Sequence, residues 1–239
     1  MVAGGFREIV LTGVDIASYG TDLPGNATLG RLVRQILKQV PELPRLRLST
    51  LDPAAFEHEL LNALATEQRL MPHVHLSLQS GSDLILKRMK RRHNSTQATK
   101  LCRQLRILRP DVVFGADIIA GFPTEGVAEF EATLAHLGDC GITYLHVFPY
   151  SERNGTPAAR MPQVPVPERK ERAAQLRDLG DTRLRNYLAT QIGKTTSIMV
   201  ERSGIGRTPH YAMLSFQEAA AAVPPRAGEI VSATIAKAT

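Results

Sequence analysis

With 239 residues, 43% of them hydrophobic, and a net charge of +6, the chain can bury a sizeable core, and its longest apolar runs fall far short of the ~20 residues that span a bilayer. The N-terminus lacks the basic start, apolar middle and cleavage site of a signal peptide, so a cytoplasmic address is expected. Two cysteines, Cys102 and Cys140, each inside a helical pattern, argue against a disulfide framework and a self-contained cysteine metal site, while the basic balance favours a polyanionic partner.

Residues 6–12 read as a strand that stops at Gly13-Val14-Asp15 and passes into a Gly/Pro/Asn-rich loop. Thr28 caps a helix over 29–40, where Leu29, Leu32, Val33, Ile36, Leu37 and Val40 recur at helical spacing before Pro41. Residues 45–51 alternate Arg with Leu and read as a second strand. Asp52-Pro53 opens a helix that runs to 70. A third strand, 73–78, sets His73 and His75 on one face and ends at Gln79-Ser80-Gly81-Ser82. Ser82-Asp83 caps a short helix, the basic run 87–93 follows, and Asn94-Ser95 caps a helix over 96–108.

The stretch 112–125, VVFGADIIAGFPTE, is the pivot of the chain. It reads as a strand buried on both faces that breaks at Gly121-Phe122-Pro123, with Asp117 inside it demanding a partner. A helix over 125–137 and a fifth strand, 142–150, complete a parallel α/β order. Pro157, Pro162, Pro165 and Pro167 mark a linker or lid before a long helix over 168–192, whose outer face is basic. Past Gly193, β-like runs at 195–200, 211–216 and 229–235 suggest a small antiparallel module, so the expected domains are 1–192 and 193–239.

Parallel α/β folds bind ligands at the C-terminal ends of their strands, which makes the corner after 112–120 the first candidate site. Ser77, Ser80 and Ser82 lack a G-x-S-x-G elbow, and no Walker or G-x-G-x-x-G phosphate loop occurs. His73 and His75 have no third metal ligand at a recognisable spacing, so a structural or hydrogen-bonding role is expected for them. The run Lys87 to Arg92 is either a phosphate grip or a solvated face.

Four stretches, EIVLTGVDIASYG, HVHLSLQSGSDLILKRMKRRH, ADIIAGFPTE and HVFPYSERNGTPAARM, together resemble the radical SAM methylthiotransferases, which insert sulfur and a methyl group into tRNA or ribosomal protein. SIMVERSGIGRTPHYAMLSF with GEIVSATI resembles the TRAM module of that family. EIVLTGVDIASYG and RLRLSTLDP are most similar to the branch acting on threonylcarbamoyladenosine beside the tRNA anticodon. The resemblance implies an incomplete parallel (β/α)6 barrel followed by a TRAM-like module, a monomer that uses S-adenosylmethionine and tRNA. It also implies that Gly13, Asp15, Gln79, Ser80, Asp117 and Gly121 face the cofactor, and that the Arg153 guanidinium suits its carboxylate. Lys90, Arg91, Arg202, Arg207 and Tyr211 are the expected RNA contacts, with Phe216 filling the module's core. The family's C-x-x-x-C-x-x-C loop and second cysteine triad, which carry its 4Fe-4S clusters, have no counterpart here. The chain is therefore expected to be a C-terminal piece, inactive alone. The alternatives are a non-catalytic RNA-binding remnant and the isopentenyladenosine or ribosomal-protein branches.

Overall fold

Strands and helices alternate along most of the chain, as the hydrophobic spacing requires, and a computed structural model describes residues 1–25, 27–202, 204–215 and 225–238. The order is β1 (Glu8–Leu11), α1 (Leu29–Gln39), β2 (Arg45–Leu48), α2 (His58–Thr66), β3 (His73–Gln79), α3 (Asp83–Arg88), α4 (Ser95–Leu108), β4 (Val113–Ala120), α5 (Val127–Asp139), β5 (Ile142–Pro149) and α6 (Val166–Ala189). β1 pairs with β2 and β3–β4–β5 form a second sheet, all in parallel, and the isolated bridges Leu46↔Leu70 and Leu51↔Leu76 stitch the sheets together. The fold is an α/β partial barrel, open between β1 and β5 among the described residues.

Strand side chains alternate between two environments. Leu46, Leu76, Phe114, Ala116 and Ile118 face the helices and are buried with Leu60, Leu101, Leu105 and Leu137. Each such leucine, isoleucine or phenylalanine contributes roughly 1.5–3 kcal/mol on burial. The other face, carrying Arg45, Arg47, His73, His75, Gly115, Asp117, Tyr144 and His146, lines a polar interior. The alternation in 45–51 is thus real, but its arginines are buried like its leucines.

Local signals hold where they have a physical partner. Thr28 accepts from Arg31 N, and Asn94 with Gln97 forms a reciprocal capping box over α4. Ser82 makes no side-chain cap; Asp83 Oδ1 instead accepts from Ser95 N at 2.8 Å, tying α3 to α4. The helix expected from 53 to 70 is divided into a 3-10 turn at Pro53–Ala55 and α2, because Glu57 caps a fresh start by accepting from Glu59 N.

A separate antiparallel sheet follows, ordered β8-β7-β6-β9, from β6 (Thr195–Arg202), β7 (Ile205–Arg207), β8 (Met213–Ser215) and β9 (Ile230–Thr234). Strand β7 was hidden in a run too short to read, and Phe216 lies outside the described residues. This module seats its 207–211 turn against the N-terminal ends of the barrel strands. Arg47 donates to Thr208 O and Pro209 O at 2.8 and 2.9 Å, Arg45 donates to Arg207 O and Ser197 Oγ, and the Tyr144 hydroxyl donates to His210 O. Tyr211 stacks on His73, ring centroids 4.7 Å apart and 7° from parallel. Among the described residues no helix is long and apolar enough to cross a membrane.

Candidate active-site cleft

At the opposite, C-terminal ends of the strands lies an open cleft of about 720 Å³. The loop after β1 brings Gly13 and Asp15 to it, the loop after β2 brings Ser49, Thr50 and Asp52, and β3 and β4 bring Ser77 and Asp117. The basic run after α3 completes the wall with Lys90, Arg91 and Arg92. A second depression, of about 550 Å³, lies against α1 and α2, bridged by an Arg34–Glu59 pair.

The basic run enters the cleft because α3 ends in a Schellman turn. Arg91 N donates to Leu86 O and Lys90 N to Lys87 O, which places Lys90 at the left-handed position with φ 58°. Arg91 is then anchored by donating to Asp52 Oδ2 (3.0 Å), Ser77 O (3.1 Å) and Ser77 Oγ (2.8 Å). Arg92 lies 3.7 Å from both Asp15 and Asp52. Burial works against the Asp52 carboxylate, but the His93 imidazole 3.4 Å away, a hydrogen bond from Ala54 N and the charge of Arg91 outweigh it and hold its pKa at about 2. The cleft therefore presents fixed carboxylates and fixed cations side by side, a surface for a ligand bearing both charges and hydroxyls.

Below the cleft, in the barrel interior, Asp117 finds the partners its burial demands. His75 Nε2 lies 3.0 Å and His146 Nδ1 3.3 Å from Asp117 Oδ1. Gly115 makes room for the His75 ring, since a Cβ there would meet His75 Nδ1 at 2.3 Å. His73 stands apart from this group. Burial, with the charges of His75 and Arg47, lowers its pKa to about 3, so the imidazole against Tyr211 is neutral.

Of the residues singled out in the sequence, Gly13, Asp15, Asp117, Lys90 and Arg91 meet in one cleft. The others lie elsewhere. Gln79, with φ 66°, sits at the irregular end of β3. Ser80 is buried, 3.3 Å from Thr133 Oγ1. Gly121, with φ 73°, donates to Glu125 Oε1 at 2.9 Å and packs so close to Arg169 that a Cβ would clash. Arg153 is exposed in the turn after β5, where its carbonyl accepts from Thr156. Arg202 is exposed at the end of β6. Arg207 pairs with Glu201 at 2.6 Å and lies 4.3 Å over the Tyr211 ring, so both residues belong to the seam beneath the barrel. The basic run Lys87 to Arg92, a candidate phosphate grip, does reach the cleft at its end, whereas sequence reasoning missed Asp52 and His146. Asp52 could have been found, because it follows a strand as Asp15 does; His146 gave no local signal.

The two thiols do not fit an iron–sulfur cluster. Cys102 on α4 and Cys140 after α5 are both buried, and Cys140 Sγ lies 3.6 Å from His136 Nε2 and 3.7 Å from Thr99 Oγ1, on the helical side of the sheet. The neighbouring Cys140 thiol and burial push the Cys102 thiol far up. A cluster with one open iron requires three thiolates at the strand ends, and none is there.

A parallel partial barrel with its polar cleft at the strand ends defines a class, and residues 1–137 match the Radical SAM superfamily: the chain belongs to that family. It is 51% identical over 211 residues to the threonylcarbamoyladenosine tRNA methylthiotransferase MtaB of Rickettsia prowazekii, covering 88% of this chain and 50% of that protein. It is 38% identical over 204 residues to a tRNA-2-methylthio-N(6)-dimethylallyladenosine synthase of Cereibacter sphaeroides, covering 85% and 46%. The chain thus spans about half the length of these curated relatives. Among solved structures, the radical SAM enzyme coproporphyrinogen III oxidase (HemN) of Escherichia coli aligns with a TM-score of 0.56 over 75% of this chain and 41% of that one, at 17% identity. That likeness concerns the fold alone.

Proposed function

We propose that this chain is the barrel and RNA-holding part of a tRNA methylthiotransferase that adds a methylthio group to the threonylcarbamoyladenosine beside the anticodon, in the cytoplasm and as a monomer. The observation that carries this reading is the 51% identity over 211 residues, 88% of the chain, to a protein of that activity. S-adenosylmethionine, when bound, would supply the radical and the methyl group. Asp15 and Asp52 suit its hydroxyls and ammonium, and Arg91 and Lys90 suit carboxylate or phosphate. Arg153 is placed by this reading at the rim. Residues 193–239 serve as the TRAM-like module, with Arg202 and Lys90 facing tRNA phosphates, while Arg207 and Tyr211 seat the module and reach RNA through their exposed edges. This chain lacks the thiolates for a cluster, and alone it is expected not to cleave S-adenosylmethionine.

Mass spectrometry of tRNA nucleosides from a strain lacking the gene tests the reading. Loss of the methylthio group from threonylcarbamoyladenosine is expected; its retention overturns the assignment, and loss from an isopentenyladenosine instead moves it to the neighbouring branch. The two-cysteine composition favours one rival, a non-catalytic RNA-binding remnant. Iron analysis of the native gene product separates them: about eight irons for two 4Fe-4S clusters, or none.

A further inference from the structure

We propose that His75, Asp117 and His146 form a mononuclear binding site for a divalent transition ion of the zinc, cobalt or iron(II) kind. The site rests on residues of this chain alone and is independent of the reaction proposed above. Three elements converge on it: β3 supplies His75, β4 Asp117 and β5 His146, held side by side by the parallel register that pairs His75 with Gly115 and Asp117 with His146. Their donor atoms all lie within 4.8 Å of one another.

Two of the three donor spacings already match those around an ion. Bonds of about 2.0–2.2 Å to nitrogen and oxygen, at angles between octahedral and tetrahedral, set neighbouring donors roughly 3.0–3.4 Å apart. Asp117 Oδ1 is 3.0 Å from His75 Nε2 and 3.3 Å from His146 Nδ1. Two imidazoles with one carboxylate on one side of a site, the other side open, is a donor set that suits zinc, iron(II) or cobalt rather than magnesium or calcium, which take oxygen ligands. The graded burial agrees with a site of this type. The side chains of His75 and Asp117 are 9% and 19% exposed and fixed by the sheet, whereas that of His146 is 59% exposed and able to swing the last distance. Asp117 also lines the cleft, so the open coordination positions face the space where a ligand enters. His73, although on the same strand face, takes no part, since its ring is stacked on Tyr211.

The test is titration of the 239-residue chain, stripped with a chelator, with cobalt(II) and zinc(II), followed by calorimetry and by the visible d–d absorption of cobalt. One ion per chain is expected, with a band of nitrogen and oxygen coordination. His146→Ala, at an exposed position that folding does not need, is expected to weaken binding at least tenfold, and Asp117→Asn likewise, with circular dichroism unchanged. His58→Ala, on the outer surface, is expected to change nothing. Failure to bind either ion, affinities equal in both site variants and the parent, or an intense near-ultraviolet thiolate band locating the ion at Cys102 and Cys140 would each overturn the proposal, leaving the three side chains as a hydrogen-bonded group only.

Discussion

Lys90 occupies a left-handed backbone position that glycine adopts at no cost, an expense of about 1 kcal/mol that persists where a side chain is needed for something other than folding. Lys90→Gly is therefore expected to raise stability by about 1 kcal/mol in urea denaturation while weakening tRNA binding at low salt and making the salt dependence shallower by about one unit. A variant that gains stability and keeps its RNA affinity removes Lys90 from the binding surface. His73 gives a second handle. Its folded pKa of about 3 is below the unfolded value near 6.5, so its contribution is complete above about pH 6.5 and declines as pH falls toward 3, because the unfolded chain takes up the proton first. His73→Phe keeps the stack on Tyr211 and is expected to flatten the pH dependence of the urea midpoint in that window. At this scale the sequence declared needs but not partners. A carboxylate inside VVFGADIIA had to be satisfied, yet its partners are residues on flanking strands, 42 positions back in one case, and only the sheet register brings them together.

Among the elements, α6 shows how a basic pattern misleads. Its sequence suggests a solvated outer face, and its outer residues are indeed exposed, but Arg169 and Arg172 turn inward. Arg169 donates to Val164 O and Tyr150 O, and Arg172 donates to Glu125 O and Oε1, satisfying groups in the loops that follow β4 and β5. Burial pushes the Glu125 pKa up against the opposing effects of Arg172 and Gly121 N. Arg172→Met strands a carboxylate that is 1% exposed, and a loss of about 3–5 kcal/mol is expected by chemical denaturation. Restoring most of that loss with the double variant Glu125→Gln/Arg172→Met would identify the pair as the cause, and a double variant as unstable as the single would refute it. Strand β2 teaches the same lesson: alternation revealed two faces, but not that the polar face was roofed by another part of the chain.

For the whole molecule, the succession of strands and helices was legible because each crossover helix declares one apolar stripe, and the parallel order follows from that succession. The seating of the antiparallel module was not, since it depends on backbone carbonyls, which no side-chain pattern encodes. Arg47 reaches Pro209 O, a partner 162 residues further along. The 1–192 segment alone would keep two guanidiniums in the barrel interior with Glu8 as their remaining partner. It is expected to melt earlier than the full chain and to be cut faster by protease within the barrel; equal resistance would show that the seam adds nothing. The seam also gives the protein a history. At roughly 5–20 residues per second, a ribosome needs on the order of ten seconds or more to travel from Arg47 to Pro209. Throughout that interval the nascent barrel has no floor, and its interior is finished only once Pro209 has been made and seated.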